Sequence, residues 1–192
     1  MQKIELEIVA LSHSVTQSNS YAVILGEVKG VRRLPIVIGG FEAQAIAVAL
    51  ENMHPSRPLT HDLMKNLMTS FDIQLQEVFI CDLQEGIFFS KLVCFTANDT
   101  IEIDSRTSDA LALAVRFGCP IYVYSHILEQ AGLENETGEK VTAPLTATIE
   151  TKKTDLSNLS VSELNELLNE VLEQEDYIRA IDIRDEINKR NA

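Results

Sequence analysis

Basic side chains are scarce in this sequence. Lys and Arg number 16 against 29 Asp and Glu, a formal net charge of −13 over 192 residues. That deficit excludes a broad electrostatic grip on nucleic acid, which Lys and Arg build by neutralising phosphates; contact with a polyanion would need a local basic patch or a bound metal ion. Long apolar runs are also missing. No stretch approaches the roughly 20 residues that cross a bilayer, and the opening MQKIELEIVA alternates charged with apolar residues, so it is no signal-peptide core. Cysteine is limited to Cys81, Cys94 and Cys119, odd in number, without paired short spacing and set among apolar neighbours. Buried, reduced thiols in a cytoplasmic protein are the plain reading, ahead of metal ligands.

What is present is ordinary for a soluble globular chain. Hydrophobic residues make up 45% and charged residues 23%, which excludes wholesale disorder, a collagen-like fibre and a disulfide-dense miniprotein. The length allows one domain of usual size with a small appendage.

Periodicity divides the chain. Ile4, Leu6 and Ile8 alternate with Lys3, Glu5 and Glu7, and the runs 19–28 and 32–39 follow with a turn at Lys29-Gly30, predicting an antiparallel meander. After Gly39-Gly40, Ala45/Ala49 and Ile46/Leu50 recur at i, i+4. A helix is therefore expected from Phe41 or Glu42, with alanines small enough to bring it close to a sheet. Pro55 and Pro58 end it. Thr60 then reads as the N-cap of a second helix, with Leu63, Leu67, Met64 and Met68 on its inner side. Residues 73–103 return to strands, a third helix spans about Thr107 to Phe117 and stops at Gly118, and residues 120–124 form a last short strand. This is an α+β pattern, an antiparallel-rich mixed sheet with packed helices. A Thr/Glu/Lys-rich linker (136–157) separates the first domain (1–135) from a small helical hairpin (158–192). Residues 155–192 hold ten acidic and four basic side chains.

Three polar clusters sit at helix starts. In Arg57-Pro58-Leu59-Thr60-His61-Asp62, the positive end of a helix favours a carboxylate and a neutral, metal-ligating imidazole; the same residues also read as an ordinary capped start. Asp104-Ser105-Arg106-Thr107-Ser108-Asp109 could hold a divalent ion or a phosphate, or could be a helix start capped by Ser105 or Thr107. Glu42 follows two glycines whose backbone N–H groups suit an anion, without the Lys-Ser/Thr of a nucleotide-binding loop.

Taken together, LPIVIGGFEAQAIAVAL, RPLTHDLMKNLM and DSRTSDALALAVRFGCPIYV resemble the bifunctional nuclease family over roughly residues 1–130. The resemblance implies cleavage of DNA and RNA, as described for some members, and marks Glu42, Arg57, His61, Asp62, Asp104, Arg106, Ser108 and Asp109 as the matching polar positions. Two departures stand out: Thr107 where the family usually has proline, and Val37 where it often has tryptophan. The tail LNELLNEVLEQEDYIRAIDIRDEINKR resembles a UVR motif, a helical hairpin that implies protein–protein contact.

The leading expectation is a nuclease that hydrolyses phosphodiester bonds with help from a divalent ion, Mg²⁺ or Mn²⁺. Glu42, His61, Asp62, Asp104 and Asp109 are the candidate catalytic residues, Arg57 and Arg106 the phosphate clamps, and Asp62 and Asp104 the candidate metal ligands. The alternative is a non-enzymatic adaptor recruiting a partner through the hairpin, a reading the net acidity favours because a polyanionic substrate meets long-range repulsion. The expected partner-binding residues are Leu164, Leu168, Tyr177, Ile181 and Arg184. On the second hairpin helix, Tyr177, Ile178, Ala180, Ile181, Ile183 and Ile187 cover about twice the roughly 100° stripe that facing one core requires. A second surface must cover the rest, and Arg184, inside the arc, needs a carboxylate such as Glu170 or Glu173. Self-association, as a homo-oligomer, or a protein partner is expected to supply that surface; a membrane is not.

Overall fold

Alternation organises the first three strands as expected. The computed structural model describes residues 2–13, 20–97, 99–134, 159–173 and 177–191. In it β1 (Lys3–His13), β2 (Ser20–Glu27) and β3 (Arg32–Gly39) are sequential antiparallel neighbours. Tyr21, Val23 and Leu25 lie opposite Ile38, Ile36 and Leu34, and all six are buried on one face. Ala22 and Ile24 lie opposite Val37 and Pro35 on the other face, where Val37 is 62% exposed.

The remaining strands complete one mixed sheet. They are β4 (Gln74–Gln84), β5 (Ile87–Phe95), β6 (Thr100–Arg106), β7 (Ile121–Tyr124) and the two-residue β8 (Leu133–Glu134), in the order β6-β5-β4-β7-β1-β2-β3-β8. Only the β4–β7 pair is parallel; it joins two antiparallel halves into the α+β architecture. The β4–β5 hairpin turns on Glu85 and Gly86, both at positive φ (50° and 82°). Two consecutive left-handed residues match the twist of the flanking strands, and glycine takes the second without strain.

Helices cover the buried face. In α3 (Thr107–Phe117) every residue from Ala110 to Ala114 is buried, between β4 and β5 on one side and α1 (Gly40–Leu50) on the other. It ends where predicted, at Gly118 in the left-handed region (φ 66°), whose N–H donates to Ala114 O. The alanine-rich α1 packs chiefly on α3 rather than on the sheet, because Ala43 and Ala47 meet another alanine-rich helix and the two backbones can approach closely.

The second helix corrects two expectations. Helix α2 (Thr60–Ser70) has Leu59 as its N-cap and Thr60 as its first helical residue. The cap is made from within the helix, by Asp62 Oδ2 accepting the Leu59 N–H at 2.9 Å. Met68 is buried and Met64 half-buried, but Leu63 and Leu67 are 62% and 56% exposed. The helix is thus rotated from its expected orientation, with Asp62 turned towards α3 in place of the leucines. A short helix α4 (Ser125–Ala131), which the sequence pattern did not announce, buries Ile127 and Leu128 and leads to β8. No described helix is long and apolar enough to cross a membrane, and the three cysteines are free thiols. Burial pushes the Cys119 thiol up to about 11.

The hairpin is formed by α5 (Val161–Glu173) and α6 (Tyr177–Asn191). Ser160 and Glu163 begin it with a capping box: Glu163 Oε2 accepts the Ser160 N–H at 2.8 Å, and Ser160 Oγ accepts the Glu163 N–H at 3.3 Å. Leu164, Val171, Ala180, Ile183 and Ile187 are buried between its helices, with Leu168 half-buried beside them. Its second surface is the chain's own sheet-and-helix core. Ile181 is buried in the main core, α6 contacts α1, and Arg184 pairs with Glu51 just past the end of α1. Arg184 Nη1 also donates to Glu51 O at 3.3 Å. The carboxylate found beside Arg184 is therefore Glu51 rather than the expected Glu170, while the Glu173 side chain falls outside the described residues. The expected 136–157 linker and the Tyr177 side chain fall outside the described residues.

Docking through a partly buried ion pair makes a specific prediction. Glu51→Ala should weaken hairpin attachment by about 1–2 kcal/mol, seen as faster hydrogen exchange in α5 and α6 while β1–β7 stay protected. Unchanged protection in α5 and α6 would contradict this.

Candidate functional site

Helices α1, α2 and α3 each carry an acid at the third helical position: Glu42, Asp62 and Asp109. The first turn of a helix presents free backbone N–H groups and the positive end of the dipole, so acids are stabilised there. Because α1 and α2 both pack on α3, all three helix starts line one cleft, two of them with their acids, Glu42 and Asp109.

Asp109 is the centre of the cluster. Its Oδ2 accepts from Arg106 Nε at 2.7 Å, and its Oδ1 accepts from Arg106 Nη2 at 3.1 Å and from His61 Nε2 at 3.0 Å. Arg106 Nη1 reaches across to Glu42 Oε1 at 3.0 Å. Burial would raise the Asp109 carboxyl, but the hydrogen bonds from Arg106 and His61 outweigh it and hold it below its ordinary value of 3.8. Asp109 is thus ionised near neutral pH and has only acceptors, so His61 donates through Nε2, leaving Nδ1 without a hydrogen bond among the described residues. Arg106 is itself the N-cap of α3, fixed by a buried hydroxyl pair below it: Ser90 Oγ and Thr107 Oγ1 are 2.7 Å apart, and Thr107 Oγ1 donates to Phe88 O at 3.0 Å. Ser105 and Thr107 do not cap the helix.

The resulting cleft, about 720 Å³, is lined by Phe41, Glu42, Gln44, Arg57, His61, Arg106 and Asp109 among others. Arg57 is exposed and makes no ion pair or hydrogen bond among the described residues; Arg106 is 67% exposed. Five of the residues singled out in the sequence therefore meet in one place. The rest do not. Asp62 lines neither this cleft nor its neighbour: Oδ1 accepts from Arg116 Nε at 2.6 Å and Oδ2 from Leu59 N–H. Asp104 and Ser108 line a second cleft, on the other side of Glu42 and Arg106.

Arg116 is the residue the sequence reading missed. Its guanidinium is 5% exposed, and its Nη1 donates to Ala45 O and Ala112 O at 2.9 Å, tying α1 to α3, while Nε binds Asp62. Its one signal was a cation in the last turn of an otherwise apolar helix. As placed, Asp62 and Asp104 do not form a donor set for a divalent ion: the Asp62 oxygens are taken and Asp104 faces another cleft. No group of three or more His, Cys, Asp or Glu side chains among the described residues is arranged to hold a metal.

Comparison with known proteins places the chain in a family. A family model described as the bifunctional nuclease domain matches residues 23–136. The chain is 45% identical over 126 residues to the uncharacterized protein Rv1829 of Mycobacterium tuberculosis, covering 65% of this chain and 75% of that one. It is 22% identical over 170 residues to bifunctional nuclease 1 of Arabidopsis thaliana, covering 83% of this chain and 52% of that one. A third relative, bifunctional nuclease 2 of Oryza sativa subsp. japonica, is 25% identical over 105 residues, 53% of this chain and 32% of its own. The chain belongs to the bifunctional nuclease domain family.

The pairing of Asp62 with the buried Arg116 makes predictions about stability. Asp62→Ala strands the buried Arg116 guanidinium and should cost roughly 2–4 kcal/mol, discounted from a fully buried pair because Asp62 is 30% exposed; thermal unfolding measures it. Asp62 is also held below its ordinary value, since the hydrogen bonds from Arg116 and the Leu59 N–H outweigh burial. A depressed carboxyl stabilises above its unfolded value of 3.8 and loses that stabilisation as pH falls through its folded value. The Asp62→Asn protein should therefore lose less stability than wild type on acidification below pH 4; an identical acid limb would contradict the Arg116 pairing.

Proposed function

We propose that the His61–Asp109–Arg106–Glu42 cluster cleaves phosphodiester bonds in nucleic acid. The observation that supports it most is that one ionised aspartate holds both an imidazole and a guanidinium at the wall of an open cleft. Membership of a nuclease family agrees with it.

In this reading His61 is the general base. With Nε2–H bound to Asp109, Nδ1 is the atom that accepts a proton from the attacking hydroxyl or water, and the imidazolium so formed is stabilised by the same carboxylate. The leaving oxygen takes a proton from solvent water as its P–O bond breaks. Arg57 and Arg106 face the charge that develops on the non-bridging phosphate oxygens. A guanidinium has five N–H donors; Arg106 gives three to Asp109 and Glu42, leaving one on Nη1 and one on Nη2 for phosphate. Glu42 and Asp109 are positioning residues for Arg106. Asp62 and Asp104 have no part in this mechanism, and no step uses a metal ion.

The net acidity favours the second reading, an adaptor acting through the hairpin. Against it, Ile181 and Arg184 are spent on the chain's own sheet-and-helix core. Cleavage separates the two. His61→Ala should lower the cleavage rate of single-stranded substrate at least 100-fold in a protein that circular dichroism shows to be folded. Wild-type cleavage by His61→Ala would overturn the assignment, and absence of cleavage by contaminant-free wild-type protein would favour the adaptor.

A further inference from the structure

The cleft beyond Arg106 is unlike the one that holds His61. It measures about 650 Å³ and shares Glu42 and Arg106 with its neighbour, so the two adjoin at that ion pair. Its walls are apolar. Val37 of β3 and Ile87 and Phe89 of β5 are 62%, 63% and 37% exposed there, large side chains that no element among the described residues covers. Phe89 is also the direct cross-strand partner of Arg106, so their Cβ atoms stand about 5 Å apart on one face of the β5–β6 ladder.

We propose that this second cleft is a nucleobase subsite, in which the base next to the scissile phosphate stacks on Phe89 while that phosphate is held by Arg106. The proposal rests on the phosphate-cleaving reading above and adds its substrate class: a single strand, or an unpaired stretch, whose base is free to turn outward. Two features of the molecule favour a base over another apolar ligand. The cleft begins at the guanidinium that would hold the phosphate, so its occupant is attached to that phosphate. A chain of net charge −13 also cannot gain affinity from a long track of phosphate contacts, whereas stacking is short-ranged, tolerant of sequence and indifferent to net charge. Asp104, on the same face of the ladder and at the edge of the cleft, offers acceptor oxygens to a base amino group.

The test measures binding by full-length His61→Ala protein, which cannot consume its ligand. Three ligands are compared: a short single-stranded oligonucleotide, the same sugar–phosphate chain without bases, and the duplex. The oligonucleotide should bind about tenfold more tightly than the baseless chain or the duplex, the scale of one base–aromatic stack. Adding Phe89→Ala should abolish that preference and leave the baseless chain unaffected; Phe89→Trp should keep it, and Val37→Asp, on the opposite wall, should abolish it if Phe89→Ala fails to fold. Equal affinity for all three ligands, or a Phe89→Ala loss shared by the baseless chain, overturns the subsite; the phosphate reading survives if Arg57→Ala and Arg106→Ala still weaken every ligand. If those two arginine substitutions change nothing, the phosphate reading fails and the subsite with it.

Discussion

A single carboxylate shared between an imidazole and a guanidinium organises this molecule's polar chemistry. Asp109 lies on α3, His61 on α2, and Arg106 at the junction of β6 and α3. An ionised carboxylate at that point fixes the tautomer of one partner and the fork of the other together, so the proposed base and the proposed phosphate clamp are set by one group. Low exposure makes the arrangement demanding: the Asp109 side chain is 29% exposed and His61 14%, and charges held there need their partners in place.

The fold delivers those groups by bringing helix starts together. Small side chains let α1 and α3 approach closely, which places Glu42 within reach of Arg106. Gly39 serves the same end, since a Cβ there would meet Glu42 Oε2 at 2.4 Å. Beneath the site, the Ser90–Thr107 hydroxyl pair ties the start of α3 to β5. Thr107 thus anchors by hydrogen bonding a position where a proline would act only by fixing φ. Arg116 and Asp62 do for the far end of α3 what Arg106 and Asp109 do for its start, with the difference that Arg116 is buried and faces no cleft.

Much of this was legible in the residues. Strand alternation in β1–β3, the breaks at Pro55, Pro58 and Gly118, and the polar clusters at helix starts all follow from local rules, and local rules governed there. What could not be read was rotation and pairing. The leucines of α2 look like its buried face by spacing, yet Asp62 reaching Arg116 from 54 residues away turns the helix and exposes them. Asp62 and Asp109 are also alike in sequence, each an acid in a first turn; only tertiary contact assigns one to a buried arginine and the other to His61. On α6 the width of the apolar arc announced a second surface, but nothing local said that this surface was the end of α1.

The shared carboxylate is tested most directly by a double-mutant cycle on cleavage rate with Asp109→Asn and His61→Ala, alone and combined. If Asp109 acts through His61 and Arg106, each single variant is severely slowed and the double variant loses far less than the product of the two single losses, because residues working as a unit do not add. Losses that multiply, or an Asp109→Asn protein that cleaves at the wild-type rate, would contradict it.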